Sequence, residues 1–281
     1  MNKEQSQKNV SLEAKNPFEL RVHLGDQVSV SETDQTLKSG EMGFLHSYTT
    51  GSTVDGPGVR VVAWTTGCHW RCQYCHNPDT WKIHNGIPIT VASAVEELNK
   101  YRHGLKTMKG GFTLSGGEPL LQDRFAARLF AEVHAMGIHT AIDTNGTFGS
   151  RLSDEELKSI DLVMLGIKTW DPERHKKLTG AAIGPVLEFA RRLAAANRPV
   201  WVRFVLVPGL TDNMGDISHI AKFCADLGNV ERVDVLPFHQ MGRYKWRELK
   251  LNYLLTKTKP PSKELIERVC SLFRAEGLIA Y

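Results

Sequence analysis

The sequence is short of cysteine, and the five it has are unevenly placed: Cys68, Cys72 and Cys75 fall within eight residues, while Cys224 and Cys270 stand far off. An odd, clustered set is no disulfide framework. In a reducing compartment such thiols serve more often as metal ligands or redox groups. Long apolar runs are missing as well. No stretch of about 18 uninterrupted apolar residues occurs and there is no apolar leader, so neither a membrane span nor secretion is expected, and a cytoplasmic location follows by default. Charge of one sign is also scarce. The net charge is +4, and residues 1 to 40 hold five Lys/Arg against six Asp/Glu, so the small surplus lies beyond them. Without a basic stripe interleaved with aromatics, nucleic acid is excluded as a partner; an acidic protein partner is the milder expectation.

What is present suffices for a full core: 281 residues, 41% hydrophobic and 23% charged. Residues 1–41 are polar apart from a short alternating stretch around Arg21 to Val30, and are expected to form a mobile tail because so few large apolar groups cannot offset the entropy of ordering. Residues 42–281 read as one domain. There, apolar strand-like runs alternate with segments of helical period, the pattern of repeated βα units. Strands are expected over Val59–Thr66, Gly111–Ser115, His139–Asp143, Leu162–Ile167, Val200–Val207 and Val233–Leu236. Helices are expected over about Val91–Tyr101, Asp123–Met136, Asp154–Ile160, Pro185–Ala196 and Ile217–Leu227, with Lys263–Ala275 closing the chain. Right-handed crossovers between such units give an α/β fold, a parallel sheet curled into an open partial TIM barrel of the (β/α)6 kind.

Sites on such sheets lie at the carboxyl ends of the strands. The unusual residues fall there. The cysteines follow the first strand, Gly116-Gly117-Glu118 the second, Asp143-Thr144-Asn145-Gly146 the third and Lys168 the fourth; Arg203 is in the fifth and His239 follows the sixth.

The spacing Cys68-x3-Cys72-x2-Cys75 lets three thiolates wrap one small metal centre, and four readings are open. A structural zinc takes four protein ligands, so His69 or His76 would have to complete the set. A thioredoxin-type pair would use Cys72 and Cys75 and leave Cys68 unexplained. Plain buried thiols would not cluster beside Gly67 and Arg71. An iron-sulfur cubane has four irons, and three cysteines leave one of them open to bind something else. Open catalytic zinc sites differ from closed structural ones in the same way. Cys224 and Cys270 sit on apolar helix faces and read as core residues.

The cysteine spacing, followed by a Gly-Gly-Glu, resembles the radical S-adenosylmethionine enzymes, in which the open iron chelates the amino and carboxylate groups of S-adenosylmethionine. The likeness narrows with GSTVDGPGVR at residues 51–60, CQYCHNPDTW at 72–81, Tyr101-Arg102-His103, Asp143 to Gly146, Trp201-Val202-Arg203 and Leu236-Pro237-Phe238-His239. These are similar, in order over roughly residues 42–281, to the activating enzymes of glycyl-radical enzymes. Many of those carry an inserted ferredoxin-like domain; residues 76–110 here hold no cysteine, which fits the short form serving pyruvate formate-lyase. The resemblance implies reductive cleavage of S-adenosylmethionine at a 4Fe–4S cluster. The 5′-deoxyadenosyl radical then takes a hydrogen from a glycine of pyruvate formate-lyase and leaves a stored glycyl radical. It further implies flavodoxin or ferredoxin as electron donor, a monomer, no membrane partner, and a place in anaerobic glucose metabolism.

By the same resemblance Cys68, Cys72 and Cys75 hold the cluster, while Tyr74 and His76 approach the adenine. Gly116, Gly117 and Glu118 hold the methionine amino group, Lys168 and His239 stand near S-adenosylmethionine, and Arg203 and Asp55 meet the glycine-bearing peptide. Taken alone, Lys168 and His239 would pass for solvated side chains, Gly116-Gly117 for a plain turn, and Asp55-Gly56-Pro57-Gly58 for another. Arg203 is less easily dismissed, since a charge in an alternating apolar strand is costly unless paired. One position departs from the pattern. The family's monovalent-cation site would draw on Asp143, Thr144, Met164 and an aspartate two residues later, where this chain has Gly166. Weak or absent cation dependence is therefore expected, with Lys168 substituting its charge. The competing functions are activation of another glycyl-radical enzyme, a small-molecule reaction of the same superfamily, and a zinc-binding adaptor module.

Overall fold

The structure, a computed structural model, describes residues 19–20, 35 and 37–281. The expected tail, residues 1–41, lies almost wholly outside the described residues. Strands run over Glu19–Leu20 (β1), Met42–Ser52 (β2), Arg60–Thr65 (β3), Ile87–Thr90 (β4), Gly111–Gly116 (β5), His139–Thr144 (β6), Leu162–Gly166 (β7), Val200–Leu206 (β8) and Val230–Pro237 (β9). Helices span Val91–Asn99 (α1), Arg102–Thr107 (α2), Asp123–Ala135 (α3), Asp154–Leu157 (α4) and Pro172–Thr179 (α5). Further helices are Gly184–Ala195 (α6), Met214–Leu227 (α7), Arg243–Glu248 (α8) and Lys263–Ala275 (α9).

One sheet has the order β1-β2-β3-β5-β6-β7-β8-β9, with β4 also on β2. β3 and β5 to β9 are parallel neighbours in chain order, so the six expected βα units stand side by side in an open barrel. The antiparallel margin formed by β1, β2 and β4 was not expected. Polar residues interrupt the apolar run of β2, so its alternation is weak in the sequence. The expected helix over Val91–Tyr101 ends at Asn99 as α1, and α2, which was not expected, follows it. An extra helix, α5, precedes α6; Asp171 caps its start by accepting from the Arg174 N–H, and Gly180 ends it in the left-handed conformation.

The pairing register decides which side chains fill the barrel. Arg60 pairs with Gly111, Trp64 with Ser115, Asp143 with Met164, and Gly166 with Arg203. Since side chains alternate between faces, these positions line the inside, and the intervening Val61, Phe112, Ile142, Leu165, Val202 and Phe204 face the helices. That outer layer is dry, for Phe112, Phe125, Leu129, Phe130 and Phe204 are all essentially buried. Each contributes about 1.5–3 kcal/mol by leaving water. Cys224 on α7 and Cys270 on α9 join the same core, as the helix faces suggested. Arg60 closes the amino-terminal end of the barrel. Its guanidinium is fully buried, donates to Thr113 Oγ1 (3.0 Å) and the Phe112 carbonyl, and contacts His139 Nδ1 (3.1 Å). The opposite end, where the strands finish, is left for polar residues.

Candidate active site

The cysteine loop leaves β3 through Gly67, whose φ of +91° is a left-handed value that favours glycine. Its backbone is fastened before any ligand is considered. The Gly67 and Cys68 N–H groups donate to the Thr80 and Trp81 carbonyls (2.7 and 3.0 Å), and those of Arg71 and Gln73 donate to Thr179 and Leu178 at the carboxyl end of α5 (2.7 and 3.1 Å). Trp70 is buried edge-on against His175 of that helix, ring centroids 5.0 Å apart. Helix α5 was not foreseen from the sequence, and it carries half the grip on this loop. Its Asp171-Pro172 start was the available signal.

Burial pushes the Cys72 thiol up to about 12 and raises those of Cys68 and Cys75 as well. A nucleophilic redox cysteine needs the opposite shift. These thiols ionise only with a positive centre beside them, which is what iron supplies. Among the described residues, no three His, Cys, Asp or Glu side chains converge as the ligands of one ion do. A 4Fe–4S cubane would take each of the three thiolates on a different iron.

Gly116 and Gly117 stand where β5 meets this loop. A Cβ at Gly116 would lie 2.2 Å from the Thr65 nitrogen, and one at Gly117 would lie 2.4 Å from the Gly67 carbonyl oxygen. Both glycines are thus required by the approach of the chain to itself, a reason the sequence does not reveal. Glu118 turns inward. It is fully buried and accepts from Thr144 Oγ1 (2.6 Å), the Leu120 N–H (2.9 Å) and the Asn145 N–H (2.7 Å), tying the ends of β5 and β6 together. Burial raises its carboxyl to about 7 against the pull of those donors. Glu118→Gln places an amide NH2 against the Asn145 N–H, and the unmet donor costs about 1–3 kcal/mol. Because the folded chain holds the Glu118 proton more tightly than the unfolded chain, its stability falls as pH rises from about 4.5 to about 7, and the variant lacks this slope. Denaturation at pH 5.5 and 8 should show the Gln penalty largest at the lower pH.

Arg203 is paired, as its position in β8 demanded. Nη1 lies 2.8 Å from Asp143 Oδ2 and 3.3 Å from Asp55 Oδ1, and Nη2 donates to the Val54 carbonyl (3.1 Å). Its buried Nε has no partner among the described residues. Asp55 is further held by Ser52 Oγ (2.6 Å), and Thr113 Oγ1 donates to its backbone carbonyl (2.6 Å). The turn over residues 55–58 is therefore fixed from the barrel interior, with Gly56 and Gly58 at positive φ.

Gly166 faces the interior beside these carboxylates. A Cβ built on it would lie 2.5 Å from Lys168 Nζ, so the lysine ammonium fills the space an acidic side chain would take. Thr144 is buried with its hydroxyl on Glu118, Asp143 is engaged by Arg203 and Ser115, and Met164 packs with Ala141, Leu162 and Trp201. On the other side, His76 and His239 meet edge to face at 4.3 Å. Burial, then the neighbouring His239 and Lys245, lowers His76 to about 4, so the ring is neutral at pH 7. Tyr74 packs by Val207 and Phe238, and its buried hydroxyl has no partner among the described residues.

Residues 62–224 match the profile of the Radical SAM superfamily. The chain is 43% identical over 244 residues to the pyruvate formate-lyase-activating enzyme of Staphylococcus epidermidis, covering 84% of this chain and 97% of the relative. It is 42% identical over 239 residues, with the same coverage, to the pyruvate formate-lyase 1-activating enzyme of Escherichia coli. A crystal structure of a domain of pyruvate-formate lyase-activating enzyme from Bacteroides vulgatus aligns with a TM-score of 0.52 and 26% identity, over 61% of this chain and 98% of that one.

Proposed function

The chain belongs to the Radical SAM superfamily and, within it, to the pyruvate formate-lyase-activating enzymes, and from that premise we propose that it installs a radical on a glycine of pyruvate formate-lyase. What supports the reading most directly is the placing of the three half-buried cysteines with Gly116, Asp143, Lys168, Arg203 and His239 around the carboxyl ends of parallel strands. Cys68, Cys72 and Cys75 would hold a 4Fe–4S cluster with one iron free of cysteine, where S-adenosylmethionine binds. Together these groups supply reductive cleavage and hydrogen abstraction; the protein supplies orientation and electrostatics.

In this reading the loop's Tyr74 and His76, with His239, flank the adenine, His76 as a neutral ring. The Gly116-Gly117 backbone meets the methionine end, and Glu118 acts from behind by holding the β5 and β6 turns. Arg203 and Asp55 set the turn that clasps the glycine-bearing peptide. Residues 42–281 form the catalytic domain. A flavodoxin or ferredoxin supplies the electron to a monomeric enzyme in the cytoplasm; among the described residues no helix is long and apolar enough to cross a membrane. Anaerobic protein with reductant, S-adenosylmethionine and pyruvate formate-lyase should give a glycyl radical signal in electron paramagnetic resonance. Release of 5′-deoxyadenosine without that signal would point to a different target.

Lys168 bears on the cation question. With its ammonium against Gly166, the site already holds a positive charge where a monovalent ion would sit. The wild-type rate should be the same in potassium and in a tetraalkylammonium salt. Gly166→Asp, which displaces only the flexible end of Lys168, should acquire potassium stimulation of several-fold. Equal stimulation of the two proteins would refute the substitution.

A further inference from the structure

The segment after β9 carries chemistry that the proposed reaction does not use. Among the described residues, five of the nine exposed large apolar side chains lie here: Met241, Tyr244, Leu249, Leu251 and Leu254. The same stretch, residues 241–259, has six basic residues and one acidic, Glu248, in a chain whose whole surplus is +4. Arg243, Arg247, Lys250, Lys257 and Lys259 are all exposed. Apolar side chains ringed by charge of one sign mark an interaction face, and the sign selects an acidic partner.

The inner side of that face rests on the cysteine loop. Trp246 of α8 is buried and its Nε1–H donates to the Cys75 carbonyl (2.8 Å). It packs edge-on against Trp81, ring centroids 5.2 Å apart. Lys245 anchors the same helix to Asn77 and Asp79 (2.9 and 2.8 Å). A partner seated on α8 is thus one helix thickness, about 10 Å, from a cysteine that would ligate iron. Arg203 and Asp55, which would meet the glycine-bearing peptide, lie on β8 and on the turn before β3.

We propose that α8 and its flanks, Met241 to Lys259, form the docking face for a small acidic electron-carrier protein, with the Trp246 and Trp81 indoles joining that face to Cys75. The inference rests on the activase reading, which needs a one-electron supply. In the step, the reduced carrier loses one electron and the oxidised cluster gains it; no bond breaks and no proton moves.

The test compares two reductants on anaerobically reconstituted protein, following the visible absorbance of the cluster. One is flavodoxin hydroquinone, the other dithionite, which needs no docking face. The triple variant Arg243→Glu, Arg247→Glu, Lys250→Glu should take electrons from flavodoxin at least ~10-fold more slowly at low salt, the size of a lost steering field. The gap should close toward 1 M salt, where the screening length is about 3 Å. Reduction by dithionite should be unchanged, and the corresponding triple Gln variant should fall in between. Wild-type rates from flavodoxin in both variants would overturn the proposal. So would equal slowing with dithionite, or normal flavodoxin reduction with a lowered glycyl radical yield, which would give the face to the target enzyme. Failure of the activase reading looks different: wild-type protein reduced by both donors yet forming no glycyl radical.

Discussion

Cys72→Ala, reconstituted anaerobically with iron and sulfide, is expected to be colourless, with iron near zero in place of about four per chain and no release of 5′-deoxyadenosine. Two thiolates cannot hold a cubane against solvent, and the third position has no substitute. His69 is the nearest candidate in sequence, but it packs on Phe148 at 4.6 Å, directed to other neighbours. The loss should be confined to the cluster. The loop is anchored by backbone bonds to Thr80, Trp81, Leu178 and Thr179, none of which involves the Cys72 sulfur, so the variant should keep a cooperative thermal transition. Cys224→Ala is the control. That thiol is buried in the apolar core under α7, and its loss should cost about 1 kcal/mol of stability while iron and activity stay intact. Iron content and melting temperature, measured on both proteins, separate a metal ligand from a core residue. Full iron in Cys72→Ala would remove the cluster assignment; iron-free protein carrying stoichiometric zinc in the wild type would restore the zinc reading.

The parallel strands were legible because they are buried on both faces and so appear as dense apolar runs bounded by glycine and proline. Of the polar residues at their ends, Arg203 stands out alone against such a run, while Lys168 and His239 gain meaning only beside the motifs around them. The antiparallel margin was not legible. β2 has polar Ser47, Thr49 and Thr50 among its apolar residues, and β4 is only Ile87–Thr90, too short to show a period. Helix α5 escaped because its character comes from caps, Asp171 and Gly180, while its apolar content is low. The role of Glu118 could not be read either. A carboxylate after two glycines has the same sequence whether it faces a ligand or turns back to accept from Thr144 and Asn145, and only tertiary geometry tells the two apart. Gly166 was the reverse case. Its oddity was visible in the sequence, and the position of Lys168 Nζ supplied the physical reason.

Arg203→Lys is expected to uncouple the two halves of the reaction. Cleavage of S-adenosylmethionine should stay within a few-fold of wild type, while glycyl radical yield falls by about 10²-fold, the loss that a displacement near 1 Å produces at a reacting centre. The guanidinium spans two carboxylates and a carbonyl at once, Asp143, Asp55 and Val54. Lysine keeps the charge but is a single point, so it can stay with one carboxylate and must release the other or the Val54 carbonyl. Asp143 has Ser115 as a second partner, and the cysteine loop and Gly116-Gly117 do not touch Arg203, so the end of the barrel that would hold S-adenosylmethionine is undisturbed. The turn over residues 52–58 loses its tether from β8 and keeps the bonds of Ser52, Thr113 and Arg60. Arg203→Met would answer a different question. It leaves two carboxylates facing each other without a cation, at a cost of about 3–5 kcal/mol, and should lower the melting temperature before any kinetic effect can be read. For the lysine variant, 5′-deoxyadenosine release is compared with spin yield on pyruvate formate-lyase. A parallel fall in both would place Arg203 in the cleavage step; unequal loss, with product release intact, assigns it to the seating of the target glycine.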